Sequence, residues 1–221
     1  MKTLLKLLML LVITTSCSQT KNFKSDIEKA HSVYTNAKDL KGNLEGLKAY
    51  EKLFNKYPNE WLPKFWAAYI SSSIARIDAD NKKTHLSKGM KYYQEAKKMG
   101  YDKYPSEFMA LEGYVYSMHR LTSKDAEREE YKNLMEKAFQ KSVLLDIDNP
   151  ITQILEGMSI SFNGMKDSKF RKVAAGRTLI LSSKEKLTKY KDSIFLTPYF
   201  NYEMIDAFMP QIQGYLAKQK Q

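Results

Sequence analysis

The sequence predicts an all-α fold: an array of antiparallel helix pairs with eight or nine helices. Glycine and proline are sparse, at 9 and 6 of 221 residues, which favours long helices over many short strands. Apolar residues recur three and four positions apart in most segments, as they do on the buried face of a helix. Ala68, Gly113 and Gly157 follow apolar residues in three similar segments, 45 and 44 positions apart, which is typical of stacked helical repeats.

In the N-terminal half, capping residues and chain breaks set the predicted helix ends. Ser25–Glu28 has the pattern of a capping box and predicts that a helix begins there. Pro63 predicts that another helix starts near Trp61. Proline, which has no N–H group, is tolerated in the first turn because N–H groups there have no bonding partner within the helix. Gly100 predicts the end of the helix before it. The predicted breaks along the whole chain are Gly42-Asn43, Pro58-Asn59, Asp78–Lys83, Asp148–Pro150 and Asn163-Gly164.

In the C-terminal half, apolar stripes between the breaks predict five helices. Short polar turns separate most of them, so consecutive helices are expected to lie antiparallel. The predicted spans are Glu107–Leu121, Ala126–Leu145, Ile151–Phe162, and approximately Ser168–Lys191 and Tyr199–Ala217.

The N-terminal segment has the features of an export signal. Lys2 and Lys6 precede the apolar run Leu7–Ile13, and small residues then lead to Cys17. The apolar run is too short to span a hydrocarbon core, which needs roughly 20 residues. The alternative, a buried first helix of the domain, would leave both lysines beside the core, where an unpaired charge is costly.

The residues Thr14-Thr15-Ser16-Cys17 resemble a bacterial lipobox, with Thr14 in place of the usual Leu. The resemblance implies cleavage before Cys17 and a lipid on its thiol, which would anchor the protein to a membrane. The first acidic residue after the cysteine is Asp26, so the usual signals for inner-membrane retention and surface export are missing. A periplasm-facing outer-membrane lipoprotein is therefore expected. The predicted organisation is a signal peptide over 1–16, a lipidated tether over 17–24 and one helical domain over 25–221.

Two segments resemble tetratricopeptide repeats. Leu47–Asn59 resembles the second helix of such a repeat with its Pro-Asn turn, and Met135–Asp148 resembles another. The chain is also similar to a group of small exported Bacteroidetes proteins with degenerate repeats, although Phe200-Asn201 replaces the Trp-Gly common there. The matching features are Glu60–Trp66, Glu107–Tyr116, Asp148–Pro150 and Thr197–Phe200. The resemblance implies a helical-repeat fold and an exported location, and no particular activity.

Composition and motifs argue against several classes of function. The formal net charge is +11, but the lysines are scattered among acidic residues, so no nucleic-acid partner is expected. Cys17 is the single cysteine, which excludes an internal disulfide and a zinc site built from several thiolates. His31, His85 and His119 belong to no metal-binding motif, and no phosphate-binding glycine loop or nucleophile elbow occurs. The sequence therefore predicts no cofactor, no metal and no enzyme activity.

Aromatic residues supply the candidate binding surface. In tetratricopeptide arrays the first helix of each pair lines the concave face, so the resemblance implies an aromatic, lysine-bordered groove there. Such a groove would suit an extended peptide, a carboxylate terminus or a glycan. The residues predicted to form it are Trp61, Trp66, Tyr69, Tyr114 and Tyr116.

The sequence thus predicts a non-enzymatic lipoprotein that binds or assembles protein or peptide partners in the periplasm, because repeat arrays build surfaces rather than buried catalytic pockets. Two alternatives remain open. One is a carrier of a small ligand or glycan within the helical array. The other is a hydrolase that uses Glu112 and Glu156, which recur at equivalent repeat positions.

Replacing Cys17 by serine should release the protein from the membrane fraction, because the attachment site of the predicted lipid is lost. Ser18→Ala is the matched control, since it changes the neighbouring residue and keeps the thiol. Cell fractionation followed by immunoblotting measures the outcome. A Cys17→Ser protein that still sediments with membranes would contradict the lipoprotein prediction.

Overall fold

The computed structural model describes residues 22–187 and 202–218, so the predicted signal peptide and Cys17 lie outside the described residues. Within these two ranges the chain forms nine helices and no strand. None of these helices has the length and apolar character needed to cross a bilayer. The helices are α1 (22–35), α2 (Leu40–Lys56), α3 (Leu62–Ile74), α4 (Lys82–Gly100), α5 (Pro105–Thr122), α6 (Asp125–Leu145), α7 (Pro150–Lys166), α8 (Phe170–Lys186) and α9 (Tyr202–Lys218).

Consecutive helices pack as antiparallel pairs, which confirms the predicted fold class. We call α3, α5 and α7 the first helices of three pairs, and α4, α6 and α8 their second helices. Each first helix packs along its own second helix, and α5 also lies against α3 and α7. Towards the ends of the array, α2 contacts α3 and α9 contacts α8.

The predicted repeat marks the place where the two helices of a pair cross. Gly176 of α8 faces Gly157, and a Cβ on Gly176 would lie 2.5 Å from the Gly157 carbonyl oxygen. Gly89 of α4 faces Ala68 in the same way, and a Cβ there would lie 3.3 Å from the Ala68 carbonyl oxygen. Larger side chains at these crossings would push the helices apart and open voids in the core.

A buried serine follows each small residue of the repeat by four positions. Ser72, Ser117 and Ser161 have no exposed surface. Ser72 and Ser161 lie at the crossings with α4 and α8, where each hydroxyl oxygen is 2.3 Å from the place of a Cβ on the facing glycine. In the middle pair the ring of Phe139 covers Gly113 instead. In the two outer pairs, α3–α4 and α7–α8, the repeated residues of the sequence therefore lie at the same kind of close helix crossing.

Two predicted boundaries near the N-terminus are wrong. α1 begins at residue 22, so Ser25–Glu28 lies inside the helix, and the end of the predicted tether is helical. α2 begins at Leu40 because Asp39 caps it: Asp39 Oδ1 accepts the Gly42 N–H at 2.8 Å. Gly42 therefore lies in the first turn of α2, and the break precedes it.

The predicted break at Asn163-Gly164 is also wrong, since α7 continues to Lys166. The Asn163 side-chain amide donates to the Ser159 carbonyl oxygen at 2.8 Å and to the Ser117 hydroxyl at 3.0 Å. These bonds satisfy the side chain within α7 and α5, so it does not compete with the helical backbone for hydrogen bonds.

The breaks that contain proline are confirmed. Pro63 lies in the first turn of α3, whose N-cap residue is Trp61. Asn149 caps α7, where its Oδ1 accepts the Ile151 N–H at 2.9 Å. Gly100 is the last residue of α4, as predicted.

Gly176→Ala should lower the free energy of unfolding by about 1–3 kcal/mol, because the new methyl group meets the Gly157 backbone. Gly214→Ala is the matched control. It adds the same methyl group to α9, where nothing lies within 4 Å, and should stabilise the protein by at most about 1 kcal/mol. Thermal unfolding followed by circular dichroism measures both. Equal effects of the two substitutions would contradict the close crossing.

Candidate functional site

Three of the five predicted binding residues lie in the core. The exposed fractions of Trp66, Tyr69 and Tyr114 are 0, 1 and 1%. The rings of Tyr69 and Tyr114 stack with centroids 5.0 Å apart, and the Tyr114 hydroxyl lies 2.9 Å from the Ser73 hydroxyl. The prediction that these three residues contact a ligand is therefore wrong, because their side chains present no surface to one.

The first helices are buried because other helices cover them on more than one side. Residues 65–72 of α3 are buried without interruption. The side chain of Tyr34 of α1 lies beside Ser73 at the end of α3. Phe208 of α9 packs against Phe162 of α7, with ring centroids 5.8 Å apart. Among the described residues, the first helices thus form an inner layer rather than an open concave face.

Trp61 and Tyr116 are half-buried, and they lie in different surroundings. Trp61 packs against Tyr104 and Phe108 at the start of α5. Tyr116 packs against Tyr131 of α6, with ring centroids 6.2 Å apart. Phe108 and Tyr116 are separated by about 12 Å along the axis of α5, at 1.5 Å per residue. The structure therefore does not unite Trp61 and Tyr116 in one binding surface.

Basic residues gather where the three first helices end. Arg76, Lys82, Lys124 and Lys166 line a cavity of about 530 Å³, and we call these four residues the cationic end. No acidic residue of the described chain lies in the wall of this cavity. Its apolar wall residues include Leu121, Phe162 and Met165.

Helix electrostatics explains part of this gathering. The carbonyl ends of α3, α5 and α7 meet here, and such ends attract cations. The Lys166 ammonium donates to the Leu121 carbonyl oxygen, and the Arg76 guanidinium lies 4.4 Å from the centroid of the Phe162 ring. These two cations have partners inside the protein. Lys82 and Lys124 form no ion pair with a described residue.

The helices α4 and α6 begin at this same end. Their N-cap residues are Asn81 and Lys124, and neither side chain bonds to the helix that follows it. α4 has no acidic residue in its first turn and starts with Lys82 and Lys83. Positive charge at a helix N-terminus is unfavourable by about 0.3–1 kcal/mol. The first turn of α6 contains acidic residues, including Glu127, so this cost applies to α4. An anion bound beside the start of α4 would remove it.

A mostly buried ion-pair cluster lies beside the cationic end. Arg120 donates to Asp167 at 3.1 Å, and Arg128 pairs with the same carboxylate. Burial opposes the charge on Asp167, but the hydrogen bonds and the two arginine charges outweigh burial and hold the pKa of Asp167 below its usual value. Burial and the charges of Arg128 and Arg120 lower the pKa of Lys166. Positive charge here therefore exceeds what Asp167 neutralises.

An open groove of about 700 Å³ continues from the cationic end between α4 and α6, and we call it the α4–α6 groove. His119 and Tyr131 stack in this groove with ring centroids 4.7 Å apart. Burial lowers the pKa of His119, so its ring is neutral at pH 7. The charged residues of the wall are Lys82, Lys83, Lys91, Lys124 and Glu127.

A second groove lies between α6 and α8, and we call it the α6–α8 groove. Its volume is about 380 Å³. Glu156 of α7 is half-buried in its wall, and burial raises the pKa of this carboxyl group. The Glu156 carboxylate forms no hydrogen bond or ion pair with another described residue. The apolar side chains of the wall are Met135, Phe139, Ile160 and Ala175.

Glu112, the equivalent residue of the preceding repeat, has different surroundings. Its carboxylate accepts a hydrogen bond from Lys97 Nζ at 3.2 Å and one from the Tyr116 hydroxyl at 3.5 Å. Glu112 and Glu156 therefore do not converge on one cleft.

The histidines have separate environments. His85 Nε2 lies 2.9 Å from Asp78 Oδ2, whereas His119 stacks on Tyr131. Over residues 22–187 and 202–218, no group of three or more His, Cys, Asp or Glu side chains could hold a metal ion.

The sequence analysis missed the cationic end because its residues lie in segments that it treated only as turns or helix ends. Lys82, Lys124 and Lys166 recur 42 positions apart, close to the period of the repeat. This spacing is the signal that could have identified them. The antiparallel pairing of the helices then brings the three lysines to one end of the array.

No protein-family model, curated protein or solved structure matches the chain in comparisons with known proteins. The resemblance to tetratricopeptide repeats and to exported Bacteroidetes proteins therefore stays a prediction.

Asp167→Asn should lower the free energy of unfolding by about 1–3 kcal/mol at pH 7, because two arginines lose a charged acceptor. The folded-state pKa of Asp167 lies below the unfolded value of about 3.9, so its contribution is present above that pH. The difference between variant and wild type should shrink as the pH falls through the folded-state pKa. Urea unfolding at pH 7 and at several pH values below 4 measures it.

The matched control is Asp102→Asn, an exposed aspartate that forms no ion pair with the described residues. It should change stability by less than about 0.5 kcal/mol at every pH. An Asp167→Asn effect that is equally large at pH 2 and pH 7 would show that the ion pairs are not its source.

Proposed function

We propose that this protein is a membrane-tethered, non-catalytic binding protein that holds an acidic segment of a partner protein along the cationic end and the α4–α6 groove. One observation carries the proposal. Lys82 and Lys124 stand at two helix N-termini without side-chain caps, and neither lysine has an ion-pair partner among the described residues. At the N-terminus of α4 no acidic residue of the first turn offsets Lys82, so this arrangement costs stability. A local cost of this kind is typical of a functional site.

The size and the wall of the α4–α6 groove favour a polypeptide over a small anion. Its volume of about 700 Å³ is in the range of ligand sites, and it opens into the cavity of the cationic end. Leu86, Met90 and Tyr131 offer contact to an apolar side chain, while lysines on the rim complement acidic ones. A partner segment in which acidic and apolar residues alternate matches both features.

The proposal includes no catalytic step. General acid–base catalysis needs groups that converge on one substrate, and Glu112 and Glu156 lie in separate surroundings. The proposed location rests on the sequence: a lipid on Cys17 would hold the helical domain at the periplasmic face of the outer membrane.

Reversing two charges, Lys82→Glu with Lys124→Glu, should weaken binding of an acidic peptide at least about tenfold, because attraction becomes repulsion at both helix ends. The probe is a fluorescein-labelled peptide of glutamates around one phenylalanine, and its binding to the full-length protein is measured by fluorescence anisotropy. Affinity for the wild type should fall as salt is raised from 50 to 300 mM, values chosen on either side of the roughly 0.15 M at which the Debye length is about 8 Å.

The matched control reverses two exposed lysines of α2, Lys41→Glu with Lys48→Glu, which changes the net charge by the same amount. Binding should then change by less than about twofold, because these lysines lie outside the groove. Equal losses in both double variants, or a wild type that binds a lysine version of the peptide as tightly, would overturn the proposed function.

A further inference from the structure

The proposed function leaves the α6–α8 groove without a role. This groove contains a carboxylate, Glu156, that is half-buried among apolar side chains and has no partner in the described chain. A carboxylate removed from water without a hydrogen-bond donor is destabilising. The groove therefore presents an acceptor that a ligand could satisfy, and the rest of the protein indicates which donor would fit.

Elsewhere in the described chain, three half-buried carboxylates each lie beside one tyrosine hydroxyl and one lysine ammonium, whereas Asp167 pairs with two arginines. Asp26 accepts from the Tyr57 hydroxyl at 2.7 Å and pairs with Lys56. Glu51 accepts from the Tyr92 hydroxyl at 2.7 Å, and its other neighbour is a lysine, Lys88, at 3.8 Å.

Glu112, the repeat equivalent of Glu156, follows the same pattern with Tyr116 and Lys97. A second tyrosine, Tyr93 of α4, is also near: burial and then the charge of Glu112 raise the pKa of the Tyr93 hydroxyl. Each of these three carboxylates thus has two kinds of neighbouring donor. One is a tyrosine hydroxyl, whose ring packs on apolar surface, and the other is a lysine ammonium group.

In the α6–α8 groove only half of this arrangement is present. Lys132, Arg171 and Lys172 line the same wall without forming an ion pair with Glu156, and no tyrosine of the described residues lines it. The residue four positions after Glu112 is Tyr116, whereas the residue four positions after Glu156 is Ile160. In addition, α6 packs less extensively against α7 than α4 does against α5, and a groove is open beside Glu156.

We propose that the α6–α8 groove receives a tyrosine side chain of a partner polypeptide, with its ring between Met135, Phe139 and Ile160 and its hydroxyl donating a hydrogen bond to Glu156. The volume suffices, since a cavity of about 150 Å³ already binds benzene and this groove has about 380 Å³. Aromatic side chains with a polar tip suit a site that is apolar along the sides and polar at one point.

This inference is independent of the proposed function, because none of the four lysines of the α4–α6 groove lines this site. A tyrosine site could exist if the acidic-peptide proposal failed, and the reverse also holds. Each proposal therefore has its own probe and its own variants.

The test compares two probes, N-acetyl-tyrosinamide and N-acetyl-phenylalaninamide, which differ by one hydroxyl. The full-length protein carries carbon-13 labelled methionine methyl groups, and Met135 reports on the groove, whereas the buried Met118 serves as an internal reference. A Met135→Leu variant assigns the signal. We expect the tyrosine probe to shift the Met135 signal and to bind about fivefold to tenfold more tightly than the phenylalanine probe.

Glu156→Gln removes the charged acceptor at nearly constant size, so the preference for the tyrosine probe should fall below about twofold. Glu136→Gln is the matched control, since Glu136 also lines the groove but is exposed, and the preference should persist. Unchanged positions of the other methionine signals would show that both variants fold. Equal binding of the two probes, an unmoved Met135 signal, or a preference that survives Glu156→Gln would each overturn the proposal.

Discussion

Where the two helices of an outer pair cross, the backbones approach so closely that a larger side chain cannot fit between them. Gly157 faces Gly176, and Ala68 faces Gly89, at distances that leave little or no room for an added Cβ. This approach buries the first helices and removes their apolar surface from water, at roughly 25 cal/mol for each square ångström. The single cysteine offers no internal disulfide, so packing of this kind stabilises the described array.

The inner layer determines where a partner could bind. Because α1, α9 and the second helices cover the first helices, the aromatic residues of α3 and α5 are used for packing. Surface grooves then form between consecutive second helices, each with a first helix nearby. The two grooves differ in chemistry. One is open and rimmed by lysines. The other is smaller and mostly apolar, and its wall contains the half-buried Glu156 and the exposed Glu136.

The same geometry organises the charges. Antiparallel pairing places the ends of the first helices and the beginnings of the second helices together, so residues that are far apart in sequence meet at the cationic end. Two of these cations have partners within the protein. Lys166 donates a hydrogen bond to a helix carbonyl oxygen, and Arg76 lies over an aromatic ring. Lys124 stands at the N-terminus of α6, and Lys82 at that of α4, where no acidic residue offsets its charge and it lowers stability. The same helix ends thus contribute to stability and concentrate positive charge.

The sequence by itself determined the helical class, the repeat period and the breaks at proline, because apolar periodicity and capping act within a few residues. It could not determine which face of a helix is covered, since that depends on partners such as Tyr34 and Phe208 from distant segments. For that reason Trp66 and Tyr69 were predicted at a surface and lie in the core. Glu112 and Glu156 occupy equivalent repeat positions, and the tertiary structure decided that Lys97 of a neighbouring helix reaches Glu112 while Glu156 faces an open groove, because these contacts join distant segments.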